Sequence, residues 1–131
     1  MTLLDTHVWL RWLPGSEQLL PDTVRQTIRT GGQLMISAVS VWEALYLARA
    51  GRLDLGFPWE EWLSKATSGA KVEVISISTG IAACAAHLPL HHRDPADRFI
   101  IATALELDVQ LISLDDKFPL YEELAGRLFA P

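Results

Sequence analysis

Residues 94–115 read DPADRFIIATALELDVQLISLD, and this stretch decides the fold. Its first part, Pro95–Leu107, has the pattern of a helix. Asp94 suits an N-cap and Pro95 the first helical position. Ile100 and Ile101, three and four residues after Asp97, turn that face toward a core. The chain then passes almost at once into residues 109–113 (VQLIS), a short apolar run that reads as a buried strand.

Working outward, the same alternation recurs. Residues 2–5 (TLLD) read as a strand ending at an acid. Residues 7–13 form a short helix stopped by Pro14 and Gly15, and residues 21–30 a second, with Val24 and Ile28 one turn apart. Leu34–Ser37 (LMIS) is a strand, and residues 38–50 a helix ending at Gly51. That helix carries Val41, Trp42, Ala44 and Leu45 together, so burial nearly all round is expected. After a loop at 53–58, residues 59–67 are helical, residues 71–75 (KVEVI) alternate as a strand does, and Thr79–His87 is a helix stopped before Pro89. The tail is helical from Leu120, and residues 127–130 suit a last edge strand. Strands alternating with helices imply βαβ units and a parallel sheet, and the short apolar strands imply that both its faces are covered. The whole chain, 1–131, is expected to be a single domain.

Half of the residues are apolar, enough for a sizeable core, and no apolar run approaches a membrane span. The N-terminus lacks a basic region and has Asp5 inside its apolar run, unlike a signal peptide. The one cysteine, Cys84, excludes an intrachain disulfide and metal–thiolate motifs, and its small apolar neighbours suit a buried, inert thiol. These features fit a cytoplasmic protein with no membrane association. A net charge of −5 opposes passive binding of nucleic acid, unless the acids are gathered in one site and neutralised by metal.

In open α/β sheets ligands bind beyond the carboxyl ends of the strands. Asp5 closes the first strand and Asp115 follows the fourth. Glu43 is in the helix after the second strand, and Asp97 begins the helix before the fourth. All four acids are therefore expected at the same sheet edge. Each has an ordinary structural alternative: N-capping for Asp5, a capping box for Asp97 beside the cap Asp94, a polar turn for Asp115 and Asp116. Glu43 is least easily explained that way. It lies among apolar residues, and neither Arg49 nor Arg52 stands three or four residues away to pair with it. Four such carboxylates repel unless a hard cation sits among them, which points to Mg²⁺ or Mn²⁺ rather than zinc.

The segments LLDTH, ISAVSVWE, HRDPADRFIIATA and LISLDD, in this order, resemble the PIN-domain family, and most of all its VapC-type toxins of toxin–antitoxin pairs. The resemblance spans nearly the whole chain. It implies a three-layer α/β/α sandwich around a central parallel sheet, Mg²⁺- or Mn²⁺-dependent cleavage of RNA, a VapB-like antitoxin that blocks the site, and a homodimer. It carries the family's acids onto Asp5, Glu43, Asp97 and Asp115, with Asp94 as a nearby acid and Thr6 and Ser113 as supporting hydroxyls. The Ser113-Leu114-Asp115 pattern selects Asp115 over Asp116.

Around the site, His7, His91, His92, Arg93 and Arg98 are candidates to hold RNA phosphates, Arg93 and Arg98 foremost; simple solvation is the alternative for each. The pairs Trp9/Trp12 and Trp59/Trp62 belong either to the core or to a contact surface. Among rival functions, a non-catalytic module acting with an antitoxin in operator-bound repression keeps the fold. A receiver domain wants an Asp after the third strand, where the chain has Ser76, Ile77 and Ser78. A metal phosphatase or DNA nuclease would use the same acids.

Overall fold

A computed structural model describes residues 1–131. Five strands, β1 (Thr2–Leu4), β2 (Leu34–Ser37), β3 (Val72–Ile75), β4 (Gln110–Ile112) and β5 (Leu128–Phe129), form one sheet in the order β3-β2-β1-β4-β5. Every neighbouring pair is parallel. Six helices cover it: α1 (Thr6–Trp12), α2 (Asp22–Thr30), α3 (Ala38–Arg49), α4 (Trp59–Ala66), α5 (Thr79–His87) and α6 (Pro95–Leu107).

The three layers follow from the period of two in a strand. In β1, Leu3 packs with α5 and α6, and Leu4 packs with α1, α2 and α4. Met35 and Ile36 of β2, and Leu111 and Ile112 of β4, divide in the same way. All six of these side chains are fully buried. On one face the core is completed by Ile81, Ala85, Ile100, Ile101, Phe118 and Tyr121. On the other, Trp9 packs against Trp62 with ring centroids 5.6 Å apart, and its indole N–H donates to Ala66 C=O at 2.9 Å.

Chain progression reverses at β1: β2 and β3 add on one side, β4 and β5 on the other. The preference for right-handed crossovers places helices on opposite faces after such a reversal. The carboxyl ends of β1 and β4 flank the switch point, where a doubly wound sheet opens its crevice.

The expected elements are found with small shifts and three corrections. The first strand stops at Leu4, because Asp5 is the N-cap of α1: its Oδ1 accepts the Thr6 N–H at 2.7 Å. The tail makes two short 3₁₀ turns, Phe118–Leu120 and Glu122–Leu124, instead of an α-helix. Tyr121, between the two turns, is extended (φ −86°, ψ 104°), which interrupts the helical ladder. Nor is α3 buried all round: Ser40 and Ala44 are its buried residues, and Trp42 and Tyr46 are 59% and 56% exposed. Cys84 is half-buried, and burial together with the nearby Glu106 and Glu123 raises its thiol pKa.

Candidate active site

The ends of β1 and β4 bring the first two acids together. Leu3 pairs with Leu111 and Leu4 with Ile112. One residue further along each strand, Ser113 Oγ donates to Asp5 Oδ2 at 2.9 Å. The same hydroxyl oxygen accepts the Asp115 N–H at 3.0 Å. Ser113 thus joins Asp5 to the backbone of Asp115, and both Asp5 and Ser113 are buried. Thr6 supports Asp5 through its backbone N–H, and its hydroxyl pairs with Ser40 Oγ at 2.7 Å. That second bond ties the start of α1 to α3 one turn before Glu43. Ser40 is a supporting hydroxyl that sequence reading missed, because nothing in a helical pattern marks which serine meets another helix.

Asp97 enters from the first turn of α6. Asp94 caps this helix by accepting the Ala96 N–H at 3.0 Å, so the capping role falls to Asp94 and the Asp97 carboxyl is left for the site. Asp115 leans in from the loop after β4, whereas Asp116 is exposed. Between Asp97 and Asp115 stands His92. Its Nε2 is 2.8 Å from Asp97 Oδ2 and 2.9 Å from Asp115 Oδ2. The closest cluster of ligand-type atoms is therefore His92, Asp97 and Asp115, all within 4.8 Å of one another. Sequence reading placed His92 only among flanking basic residues. A loop histidine has no periodicity that would reveal its direction.

Glu43 reaches the same region from α3. Its Oε1 is buried and has no hydrogen-bond partner. Its charge is felt by both Asp5 and Asp97. The acids show the strain of this crowding. Burial, and then the charges of Asp5, Asp94, Glu43 and Asp115, push the Asp97 carboxyl up to about 8. Burial pushes Asp5 up to about 6, against the bonds from Ser113 and Thr6 and the field of His7. For Asp115, burial works upward as well, but the hydrogen bonds from His92 and from the Lys117 N–H outweigh it and hold the carboxyl below its usual range.

Of the two candidate arginines, Arg93 is exposed beside the site. Arg98 is differently engaged. Its guanidinium donates to four backbone carbonyls: Ala85 and Leu88 at the end of α5, then Pro89 and His92 in the following loop. Arg98, expected among the phosphate-holding residues, is thus committed locally through both terminal nitrogens. A peptide segment leaving a helix end has unpaired carbonyls, and the five-donor fork of an arginine satisfies several at once. His7 and His91 are exposed, and His91 stands edge-on to Tyr121.

Several known proteins are similar to this chain in sequence or fold. The PIN domain family model matches residues 2–124. The chain is 35% identical over 114 residues to Ribonuclease VapC22 of Mycobacterium tuberculosis (strain ATCC 25618 / H37Rv), covering 86% of this chain and 85% of that one. Its fold is similar to that in the crystal structure of VapBC2 from Rickettsia felis bound to a DNA fragment from their promoter. The TM-score there is 0.71 at 16% identity, over 99% of this chain and 98% of the other. FitAcB from Neisseria gonorrhoeae is also similar in fold, with a TM-score of 0.64 at 21% identity over 100% and 98% of the two chains.

Proposed function

Because the chain belongs to the PIN domain family, we propose that it is a metal-dependent endoribonuclease, the toxin of a toxin–antitoxin pair, acting through Asp5, Glu43, Asp97 and Asp115. The observation that carries this reading is the convergence of those acids at the carboxyl ends of β1 and β4, on top of 35% identity to a ribonuclease.

The residues suit a hard divalent cation. A buried carboxylate oxygen without a partner (Glu43 Oε1) and an Asp97 held near 8 by burial and then by its acidic neighbours are both groups that a positive ion would satisfy. Asp5, Glu43, Asp97 and Asp115 would hold it, and Mg²⁺ or Mn²⁺ fits an all-oxygen donor set. When bound, such an ion supplies an activated water and neutralises charge at a scissile phosphodiester. The remaining work belongs to the chain. Ser113 fixes Asp5 and the Asp115 backbone in one frame, Asp94 caps α6 so that Asp97 is free, and Thr6 with Ser40 ties α1 to α3 near Glu43. Arg93, exposed at the rim, is the side chain available to an RNA phosphate.

The partners in this reading are the RNA substrate, a VapB-like antitoxin and a second copy of the chain. Trp42, Tyr46, Phe57 and Trp59 are about half exposed or more, and they supply the apolar surface such partners need. In this reading the setting is the cytoplasm. Separately, no helix is long and apolar enough to cross a membrane.

The test is cleavage of total cellular RNA by the antitoxin-free protein in Mg²⁺ or Mn²⁺, beside an Asp97→Asn variant and an EDTA control. Discrete cuts by the unaltered protein alone, lost in EDTA, are expected. Equal cutting by the variant would overturn the assigned site. Failure to cut by a folded, metal-loaded protein would favour a non-catalytic role with the antitoxin.

A further inference from the structure

His92 is 8% exposed and held on every side. Its backbone N–H donates to Tyr121 Oη at 2.9 Å, and its C=O accepts from Arg98 at 3.4 Å. Its ring stands edge-on to Phe118. The two ring nitrogens have different neighbours. The Asp94 N–H donates to Nδ1 at 3.3 Å. A nitrogen that receives a donor presents its lone pair there, so the ring hydrogen sits on Nε2. Nε2 in turn faces carboxyl oxygens only: its hydrogen bond runs to Asp115 Oδ2, with Asp97 Oδ2 beside it.

We infer that His92 is a positioning residue and not a metal ligand: its Nε2–H aligns the Asp115 carboxylate against Asp97, joining the loop after β4 to the first turn of α6. The inference rests on the nuclease reading for its consequence, but the state of the ring is independent of it. An imidazole that ligates through Nε2 must present a lone pair there and carry its hydrogen on Nδ1. That hydrogen would then oppose the Asp94 N–H. The Asp94 peptide is not free to turn away, because Asp94 is the N-cap of α6 and its side chain is committed to Ala96. The imidazole therefore stands behind the carboxylates as a donor. Groups that hydrogen-bond to metal-holding side chains in this way orient them, and their loss costs roughly 10- to 100-fold in metal affinity or activity.

Two measurements decide it. Long-range ¹H–¹⁵N spectra of the histidine rings, with His92 assigned by its absence in His92→Gln, should show a protonated Nε2 and an unprotonated Nδ1, before and after addition of Mg²⁺. Mn²⁺ binding followed by EPR should weaken about 10- to 100-fold in His92→Ala, and should return to within a few-fold of the unaltered protein in His92→Gln, whose amide N–H lies near the Nε2 position. An Nδ1–H tautomer, or ¹⁴N coupling from His92 in the Mn²⁺-loaded protein, would make the imidazole a ligand and overturn the proposal. Undiminished Mn²⁺ affinity in a folded His92→Ala would overturn it as well. RNA cleavage enters neither measurement, so the failure of the nuclease reading and the failure of this one are distinguishable.

Discussion

Asp97 carries the clearest pH signature of any residue in the site. In the unfolded chain its carboxyl ionises near 3.8, and in the folded, metal-free protein near 8. Between those values the folded state keeps a proton that the unfolded state has lost, so stability falls as pH rises through that window. Asp5, raised to about 6, adds in the same direction over the lower part. The melting temperature in EDTA should therefore drop from pH 5 to pH 9. It should drop less in Asp97→Asn, which has no charge to acquire at that position. A flat profile for the unaltered protein would show that the acids do not feel one another as described. Ser113 gives a second test. Its one hydroxyl serves Asp5 and the Asp115 backbone, so Ser113→Ala should lower cleavage roughly 10- to 100-fold, as expected when a group orienting a metal-holding side chain is removed. Asp5, Glu43 and Asp97 were legible as candidates because each falls at a strand end or on an apolar helix face, whereas Asp115 was separated from Asp116 only by the family's Ser-x-Asp pattern. His92 was not legible, since its direction is fixed by Tyr121, Arg98 and Asp94, contacts made by a loop.

At the level of elements, caps made the boundaries readable. The N-cap Asp94 starts α6 and the approach of Pro89 ends α5, because capping side chains and prolines act locally. The reading of α3 went astray for a different reason. Apolar residues around a whole helix look the same whether they face a core or open surface, and here Trp42 and Tyr46 stack on each other at 5.3 Å on the outside. The role of Arg98 was equally hidden, because no sequence pattern shows where carbonyls gather. It implies a measurable effect: Arg98→Ala leaves four carbonyls without their charged donor, and should cost about 2–3 kcal/mol, the worth of a charge-assisted hydrogen bond or slightly more. Hydrogen exchange should accelerate in residues 86–93 above all. Uniform acceleration across the protein would argue against a local clamp.

For the molecule as a whole, the parallel sheet with two covered faces was legible from alternating helices and short apolar strands, and the strand order supplies the switch point where the acids meet. A cation bound there stabilises the fold by mass action. Saturation with Mg²⁺ at 100 times its dissociation constant should add about 2.7 kcal/mol, with a melting temperature that rises with Mg²⁺ concentration. The increment should vanish in Asp97→Asn. The bond from Ser113 to Asp5 spans 108 positions in the chain. A ribosome adds roughly 5–20 residues per second, so Asp5 waits about 5–20 s after its own synthesis before the serine that orients it exists. Throughout that interval the nascent chain holds only part of its cutting machinery. Competence arrives late in translation, once residue 113 has joined the fold that residue 5 began.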